Sequence, residues 1–324
     1  MYSLRDCQEK IEEAIRIAQI DGQPEELYAP IRYIMSIGGK RMRPALVLMA
    51  YNMYAADIVK VTNVALAIEV FHNFTLLHDD IMDEADVRRN MATVHKKWNN
   101  NAAILSGDAM LIKAYQLLET LPVDIQPAVY RIFNQTALEV CEGQQYDMNF
   151  ETQSGVSLDE YLKMITLKTA VLVAASLKIG ALLGGATAED ADNIYEFGLN
   201  LGLAFQIQDD YLDAFADSNE FGKATGGDIA ANKKTFLLIN ALELATGDIA
   251  EELDQLIHQD NIDKEEKIHR VIAIYRQLGI PELAKQKIEA FHKKSLESLK
   301  AIQVPDLRKE QLYHFAEYLM SRKK

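Results

Sequence analysis

Two short acidic runs hold the residues best placed for chemistry. His78-Asp79-Asp80-Ile81-Met82-Asp83 closes an apolar run at 61–77, and Asp209-Asp210-Tyr211-Leu212-Asp213 closes another at 194–208. In each, the first and last aspartates stand four residues apart, so on a helix both carboxylates project from one face. Stacked carboxylates repel one another unless a cation neutralises them. Hard oxygen donors at this spacing suit Mg²⁺, which keeps several waters and completes its shell with phosphate oxygens. One such run is also what a solvated acidic helix end looks like. Two copies, each following an apolar helix, are harder to assign to a surface, and facing helices would then frame a cluster of divalent ions.

Basic residues stand where an anionic substrate would need them. Gly38-Gly39-Lys40-Arg41-Met42-Arg43-Pro44 puts three cations on a glycine turn just before an apolar helix, a setting that favours diphosphate capture. Arg88-Arg89 follow the first acidic run. Lys168-Thr169 lie inside an otherwise apolar helix, where a lysine is costly unless it meets an anion or snorkels its head to water. Lys223 and Lys233-Lys234 flank the glycine-rich stretch 224–228 after the second run.

The elements that must position these groups are helical. Apolar residues recur at intervals of three, four and seven, which predicts long helices over 45–54, 61–82, 102–121, 127–150, 158–183, 188–215, 234–246, 268–277, 281–299 and 308–320. Breaks fall at Gly38-Gly39, Pro122, Gly155, Gly184-Gly185, Gly226-Gly227 and Pro281. With only 16 glycines and 7 prolines in 324 residues, turns are few. No stretch alternates with the period of a strand, and 49% hydrophobic residues are enough for a large core. The expectation is one all-α domain over 1–324.

Composition excludes several classes. A net charge of −14 argues against nucleic-acid binding, which needs a basic face. Cys7 and Cys141 lack metal-type spacing and read as reduced thiols. The amphipathic start has no apolar signal core, and the most apolar stretch, 169–185, is interrupted by Lys178 and reads as too short to span a bilayer. A soluble cytoplasmic protein without stable membrane anchoring is expected.

Taken in order, GGKRMRP, LLHDDIMD with Arg88-Arg89, LKTA, FQIQDDYLD and GGDIAANKKTF resemble the trans-isoprenyl diphosphate synthases, the polyprenyl synthetase family. The match runs over about 31–244, and the remainder fits the family's terminal helices. The resemblance implies a helical bundle around a deep central cavity, the isoprenoid synthase fold. It implies that Asp79 and Asp83, with Asp209 across the cavity, ligate three Mg²⁺, supported by Asp80, Asp210 and Asp213. Arg88, Lys168 and Lys223 would clamp an allylic diphosphate, with Lys233 nearby. Lys40, Arg43, His72 and Arg89 would hold isopentenyl diphosphate. Gln206, with Thr169 and the carbonyl of Lys168, would face the developing cation. His72 alone reads as a satisfied core histidine; its register seven before Asp79 promotes it. A homodimer is implied by the same analogy.

The family's usual Gly and Pro after the arginine pair are here Asn90 and Ala92, which alters backbone stiffness without removing a ligand. Product length depends on what lies beneath Asp79. Phe74, Phe71 and the small Thr75 resemble synthases that stop near twenty carbons, so geranylgeranyl diphosphate is the expected product and a fifteen-carbon product the alternative. For both rings the plain alternative is core packing. A type I terpene cyclase is disfavoured, because Asp209, Asp213 and Asp217 stand where it carries an Asn/Ser/Glu triad. A non-catalytic partner subunit is disfavoured because both acidic runs are intact. The closing Arg322-Lys323-Lys324 reads as a frayed end.

Overall fold

The computed structural model describes residues 1–18, 20–216, 225–259 and 262–321. Among them the only strands form a hairpin of two residues a side, and almost everything else is helical. Two compact units can be distinguished. The first comprises Met1–Gln135, Ala175–Tyr195 and Ile302–Leu312; the second comprises Thr136–Ala174, Glu196–Ala301 and Tyr313–Lys324.

In the first unit, α1 (Leu4–Ile17) starts at a capping box in which Ser3 and Asp6 exchange hydrogen bonds. Next come α2 (Glu25–Ser36), α3 (Met42–Asn52) and α4 (Thr62–Met82), followed by α5 (Val94–Lys97) and α6 (Asn100–Leu118). Helix α4 is buried on every face along most of its length, including Glu69 and Asn73, so it serves as the unit's axis. It packs closely on α6 because Gly107 offers no side chain against the His78 ring. The acidic run therefore sits at the C-terminal end of a helix that is buried along most of its length.

Helix α7 (Gln126–Thr152) leads to the second unit's α8 (Leu158–Ile165), whose N-terminus is a second capping box between Ser157 and Glu160. The sequence periodicity predicts one helix over 158–183. Instead, a π-helical turn, Thr166–Ala170, separates α8 from α9 (Val171–Gly184). The run Leu158–Gly184, which extends beyond the 169–185 stretch read as too short, is 27 residues long and by length and composition could cross a membrane. Its apolar window is 61% buried within the protein, the pattern of a core helix.

After α10 (Ala188–Phe215) come α11 (Gly227–Ala230), α12 (Phe236–Leu244), α13 (Asp248–His258), α14 (Lys264–Gln277), α15 (Ile280–Ala301) and α16 (Asp306–Met320). Helix α13 is not among the predicted helices, although Ile249, Leu253, Leu256 and Ile257 recur at helical spacing along it. Tyr161, Ile165, Phe236, Leu253, Ile274 and Tyr275 are among the buried side chains of this unit's core.

Candidate active site

The first acidic run closes α4. Asp83 N–H donates to the Asp79 carbonyl at 2.8 Å, so these two carboxylates stand one helical turn apart at the surface end. Asp80 points the other way and is only 1% exposed. Arg88 Nε donates to Asp80 Oδ1 at 2.8 Å, and Nη2 lies 3.4 Å from Asp79 Oδ2. Burial pushes the Asp80 carboxyl up against the opposing pull of Arg88.

Arg88 is placed by the hairpin of β1 (Val87–Arg88) and β2 (Met91–Ala92). Its two connecting residues, Arg89 and Asn90, have φ of 52° and 62°, as a type I′ turn requires. Asn tolerates that conformation nearly as well as Gly, which explains how the loop keeps its shape with Asn90. Tyr33 Oη ties the hairpin to α2 through the Ala92 carbonyl at 2.7 Å, and Arg89 donates to the Gly38 carbonyl.

On the basic turn, Gly39 (φ 149°) leaves the space that the Arg89 guanidinium fills. The sequence places three cations there for an anion; the structure removes one. Arg41 is buried, bound to Glu69 at 2.6 Å, Glu12 at 2.7 Å and the Met35 carbonyl at 2.7 Å, so it anchors the turn from inside. Lys40 is exposed and Arg43 half-buried. Arg43 Nη1 lies 3.1 Å from His72 Nε2, which must accept, so His72 is neutral at that nitrogen. Burial, then Arg43, Arg89, Arg88 and Arg41, hold the His72 pKa well below its ordinary value. Arg43, Arg88 and Arg89 thus gather around an uncharged imidazole about two helical turns before the acidic run.

Below that run, Phe74 is 8% exposed, with its ring 4.7 Å from His78 and 5.7 Å from Phe71. Phe71 is fully buried and meets Phe133 edge-on at 5.2 Å. Thr75 turns its hydroxyl back to the His72 carbonyl at 2.8 Å.

In the second unit, Lys168 and Thr169 both lie in the π-helical turn, a feature that recurs at functional sites because it redirects side chains out of the helical register. Gly143 on α7 lets that turn approach backbone to backbone. Lys168 Nζ pairs with Asp147 at 2.6 Å. Thr169 Oγ1 donates to Gln206 Oε1 at 3.2 Å, and Gln206 Nε2 donates to Asp210 Oδ1 at 3.3 Å. The other Asp210 oxygen accepts from Tyr161 Oη at 2.5 Å and Phe236 N–H at 3.1 Å. Burial pushes the Asp210 carboxyl up to about 7.

Asp209 is exposed, while Asp213 Oδ2 accepts from the Asp228 N–H at 3.0 Å. Asp228 is pushed up to about 6 by burial and by the Asp213 charge. Lys233 Nζ lies 3.9 Å from Asp228 Oδ1. A cavity of about 150 Å³ is lined by Asp147, Lys168, Thr169, Gln206, Asp210, Asp228 and Lys233 among others.

Three of these residues were not singled out from sequence. Asp228 stands inside the quoted GGDIAANKKTF and could have been. Asp147, on the amphipathic α7, and Tyr161, a buried aromatic, carry no local signal. Lys223, Asp217 and Arg322–Lys324 lie outside the described residues.

Residues 24–275 match the polyprenyl synthetase family. The chain belongs to that family. It is 46% identical over 224 residues to a geranylgeranyl diphosphate synthase of Methanosarcina mazei, covering 68% of this chain and 69% of the relative. A short chain isoprenyl diphosphate synthase of Methanothermobacter thermautotrophicus is 34% identical, with 99% and 98% covered. A solved geranylgeranyl pyrophosphate synthase matches at a TM-score of 0.94 and 45% identity over all of both chains.

The carboxylates of this polyprenyl synthetase suit a hard divalent ion. Asp80 Oδ2 is a buried acceptor with no hydrogen-bond partner, beside the more accessible Asp79 and Asp83. Among the described residues no three ligating side chains converge closely enough to hold a metal by themselves. That donor set fits Mg²⁺, which binds through one or two carboxylates and takes its other oxygens from water and phosphate.

Proposed function

We propose that this polyprenyl synthetase condenses isopentenyl diphosphate head-to-tail with allylic diphosphates to an all-trans prenyl diphosphate of twenty carbons, geranylgeranyl diphosphate. The observation that carries the reading is the cluster of Arg43, Arg88 and Arg89 around neutral His72, beside Asp79 and Asp83. A protein that only ionised one prenyl diphosphate would not need a second set of diphosphate-binding cations. The names of the relatives support the twenty-carbon product.

The roles follow from charge and placement. Asp79, Asp83 and Asp209 are the proposed direct magnesium carboxylates, three ions with diphosphate bound, and Asp213 supports them. Asp80 and Asp210 act from behind, because both are buried, Arg88 holds one oxygen of the first, and both oxygens of the second already accept hydrogen bonds. Bound magnesium supplies charge neutralisation that turns diphosphate into a leaving group. Arg88, Lys168, Lys223 and Lys233 hold the allylic diphosphate. Lys40, Arg43, His72 and Arg89 hold isopentenyl diphosphate. Thr169, Gln206 and the Lys168 carbonyl present oxygen dipoles to the allylic cation. The isopentenyl double bond attacks that cation, and a proton leaves to the departing diphosphate, so no strong protein base is required.

The chain acts as one synthase domain, cytoplasmic, binding no nucleic acid and without a stable membrane anchor. Two copies pair: Leu105 and Ile112, seven apart on α6, are 59% and 58% exposed and give an apolar strip for a partner. The test is incubation of purified chain with Mg²⁺, isopentenyl diphosphate and, separately, dimethylallyl, geranyl or farnesyl diphosphate, with products sized by mass spectrometry. Linear products ending at twenty carbons are expected. Termination at fifteen favours a farnesyl diphosphate synthase. No turnover with any primer points to a non-catalytic subunit of a partner synthase and sinks the reading.

A further inference from the structure

One buried cation lies outside everything described so far. Lys267 on α14 is only 9% exposed, and its ammonium donates at 2.7 Å to Asn232 Oδ1, an amide rather than a carboxylate. Burial accordingly lowers its pKa. A lysine serving stability alone would gain more from a carboxylate, since a neutral acceptor offsets little of the desolvation of a charge.

What the contact achieves is geometric. Asn232 has φ of 53°, a left-handed conformation that Asn adopts more readily than other non-glycine residues. Both ends of its side chain are held: Oδ1 by Lys267, and Nδ2 by donation to the Ile257 carbonyl of α13 at 3.0 Å. The amide therefore has one orientation.

Asn232 forms one corner of an arch whose other corner is Gly226, at φ of 82°. Gly226 N–H donates to the Asp213 carbonyl at 2.6 Å, and Lys233 N–H donates to the Asp228 carbonyl at 3.0 Å, which closes the arch. The Gly226 corner also rests on α14: a Cβ there would lie 2.6 Å from Ile268 Cγ2, the residue next to Lys267. One helix thus grips both left-handed corners of the segment that carries Asp228 and Lys233 into the cavity.

We propose that Lys267 is a positioning residue which, through Asn232, holds this arch so that Lys233 meets the allylic diphosphate. The proposal rests on the prenyl-transfer reading and assigns a role to a residue that touches no substrate.

The test combines kinetics with a substrate-independent readout on Lys267→Met, Asn232→Gly and the double variant. Lys267→Met raises KM for the allylic diphosphate roughly tenfold, the scale of one lost charged hydrogen bond, and leaves KM for isopentenyl diphosphate unchanged. Asn232→Gly raises the same KM by a similar factor, because it keeps the positive φ but removes the side chain through which Lys267 holds the arch. In that background Lys267→Met adds nothing. Amide hydrogen exchange over 228–235, without substrate, speeds up in Lys267→Met. Equal loss for both substrates, or an undiminished Lys267→Met effect in the Asn232→Gly background, overturns the proposal. So does unaltered exchange. Faster exchange in Lys267→Met, in a protein whose parent makes no prenyl diphosphate, keeps the clamp and refutes the functional reading instead. If Lys267→Met does not fold, Lys267→Gln, which keeps a polar head, carries the same test.

Discussion

Phe74→Ala should lengthen the product by one unit and no more. The Phe74 ring stands between His78 and Phe71, at 4.7 and 5.7 Å, on the helix that ends in the acidic run. Removing it opens the helix surface as far as Phe71, three residues deeper, which is about 4.5 Å at 1.5 Å per residue. A five-carbon unit adds four chain carbons, about 5 Å with bonds of ~1.5 Å, so the opening takes one unit. Growth stops there because Phe71 is fully buried and braced edge-on by Phe133 at 5.2 Å. The expected main product moves from twenty to twenty-five carbons. Loss of a largely buried ring destabilises the fold by about 3 kcal/mol, so folding is checked first by thermal melting. Products are dephosphorylated and sized by chromatography and mass spectrometry, with farnesyl diphosphate as primer. An unchanged distribution would show that Phe74 is core packing and nothing else. A ladder extending by many units would show that Phe71 is no barrier.

Three further perturbations test other parts of the molecule. Glu69→Gln leaves the buried Arg41 guanidinium short of its closest counter-charge and should cost about 3 kcal/mol in urea unfolding; a loss under about 1 kcal/mol refutes the anchoring role. Asp228 is protonated more readily folded than unfolded, so its stabilising contribution is full below the ordinary pH of about 4 and lost as pH rises through about 6. Asp228→Asn in metal-free protein should therefore gain stability over the parent at pH 7 relative to pH 4, by at most about 3 kcal/mol; equal urea midpoint differences at both pH values contradict this. Tyr161→Phe removes a donor from Asp210 and should lower kcat roughly tenfold while KM for isopentenyl diphosphate holds; unaltered kcat excludes it from the Gln206–Thr169 chain.

What sequence conveyed well was whatever depends on local spacing. The 61–82 helix and the acidic pair one turn apart at its end follow from periodicity alone, and so does the all-α class. Residues whose role depends on distant partners were illegible. Arg41 looks like the third cation of a substrate turn, and only the folded positions of Glu69 and Glu12, far along the chain in either direction, make it structural. The π-helical turn at Lys168 leaves no composition signal, since one extra residue in a helical turn disturbs neither hydropathy nor turn content. Asp147 pairs with Lys168 across 21 residues and two helices, a distance at which periodicity conveys nothing. The hairpin bearing Arg88 is too short for alternation to register, although Arg89-Asn90 occupies its tight turn.

Backbone strain is where sequence and site meet. Among the described residues, the non-glycine positions with left-handed φ are Arg41, Glu84, Arg89, Asn90 and Asn232. Arg41 turns the basic segment, Glu84 follows the first acidic run, Arg89 and Asn90 make the hairpin, and Asn232 turns the arch after the second run. Arg41, Glu84 and Arg89 each cost about 1 kcal/mol or more in this conformation, while the two asparagines adopt it more readily. Contacts that hold the side chain are visible for three of the five: Glu69 and Glu12 on Arg41, the Gly38 carbonyl on Arg89, and Lys267 on Asn232. A protein with a net charge of −14 must concentrate positive charge locally to bind diphosphates. Left-handed corners stand within the basic segments: Arg41 between Lys40 and Arg43, and Arg89 and Asn90 directly after Arg88. The left-handed corners thus fall in the same segments as the charges that the proposed ionisation step uses.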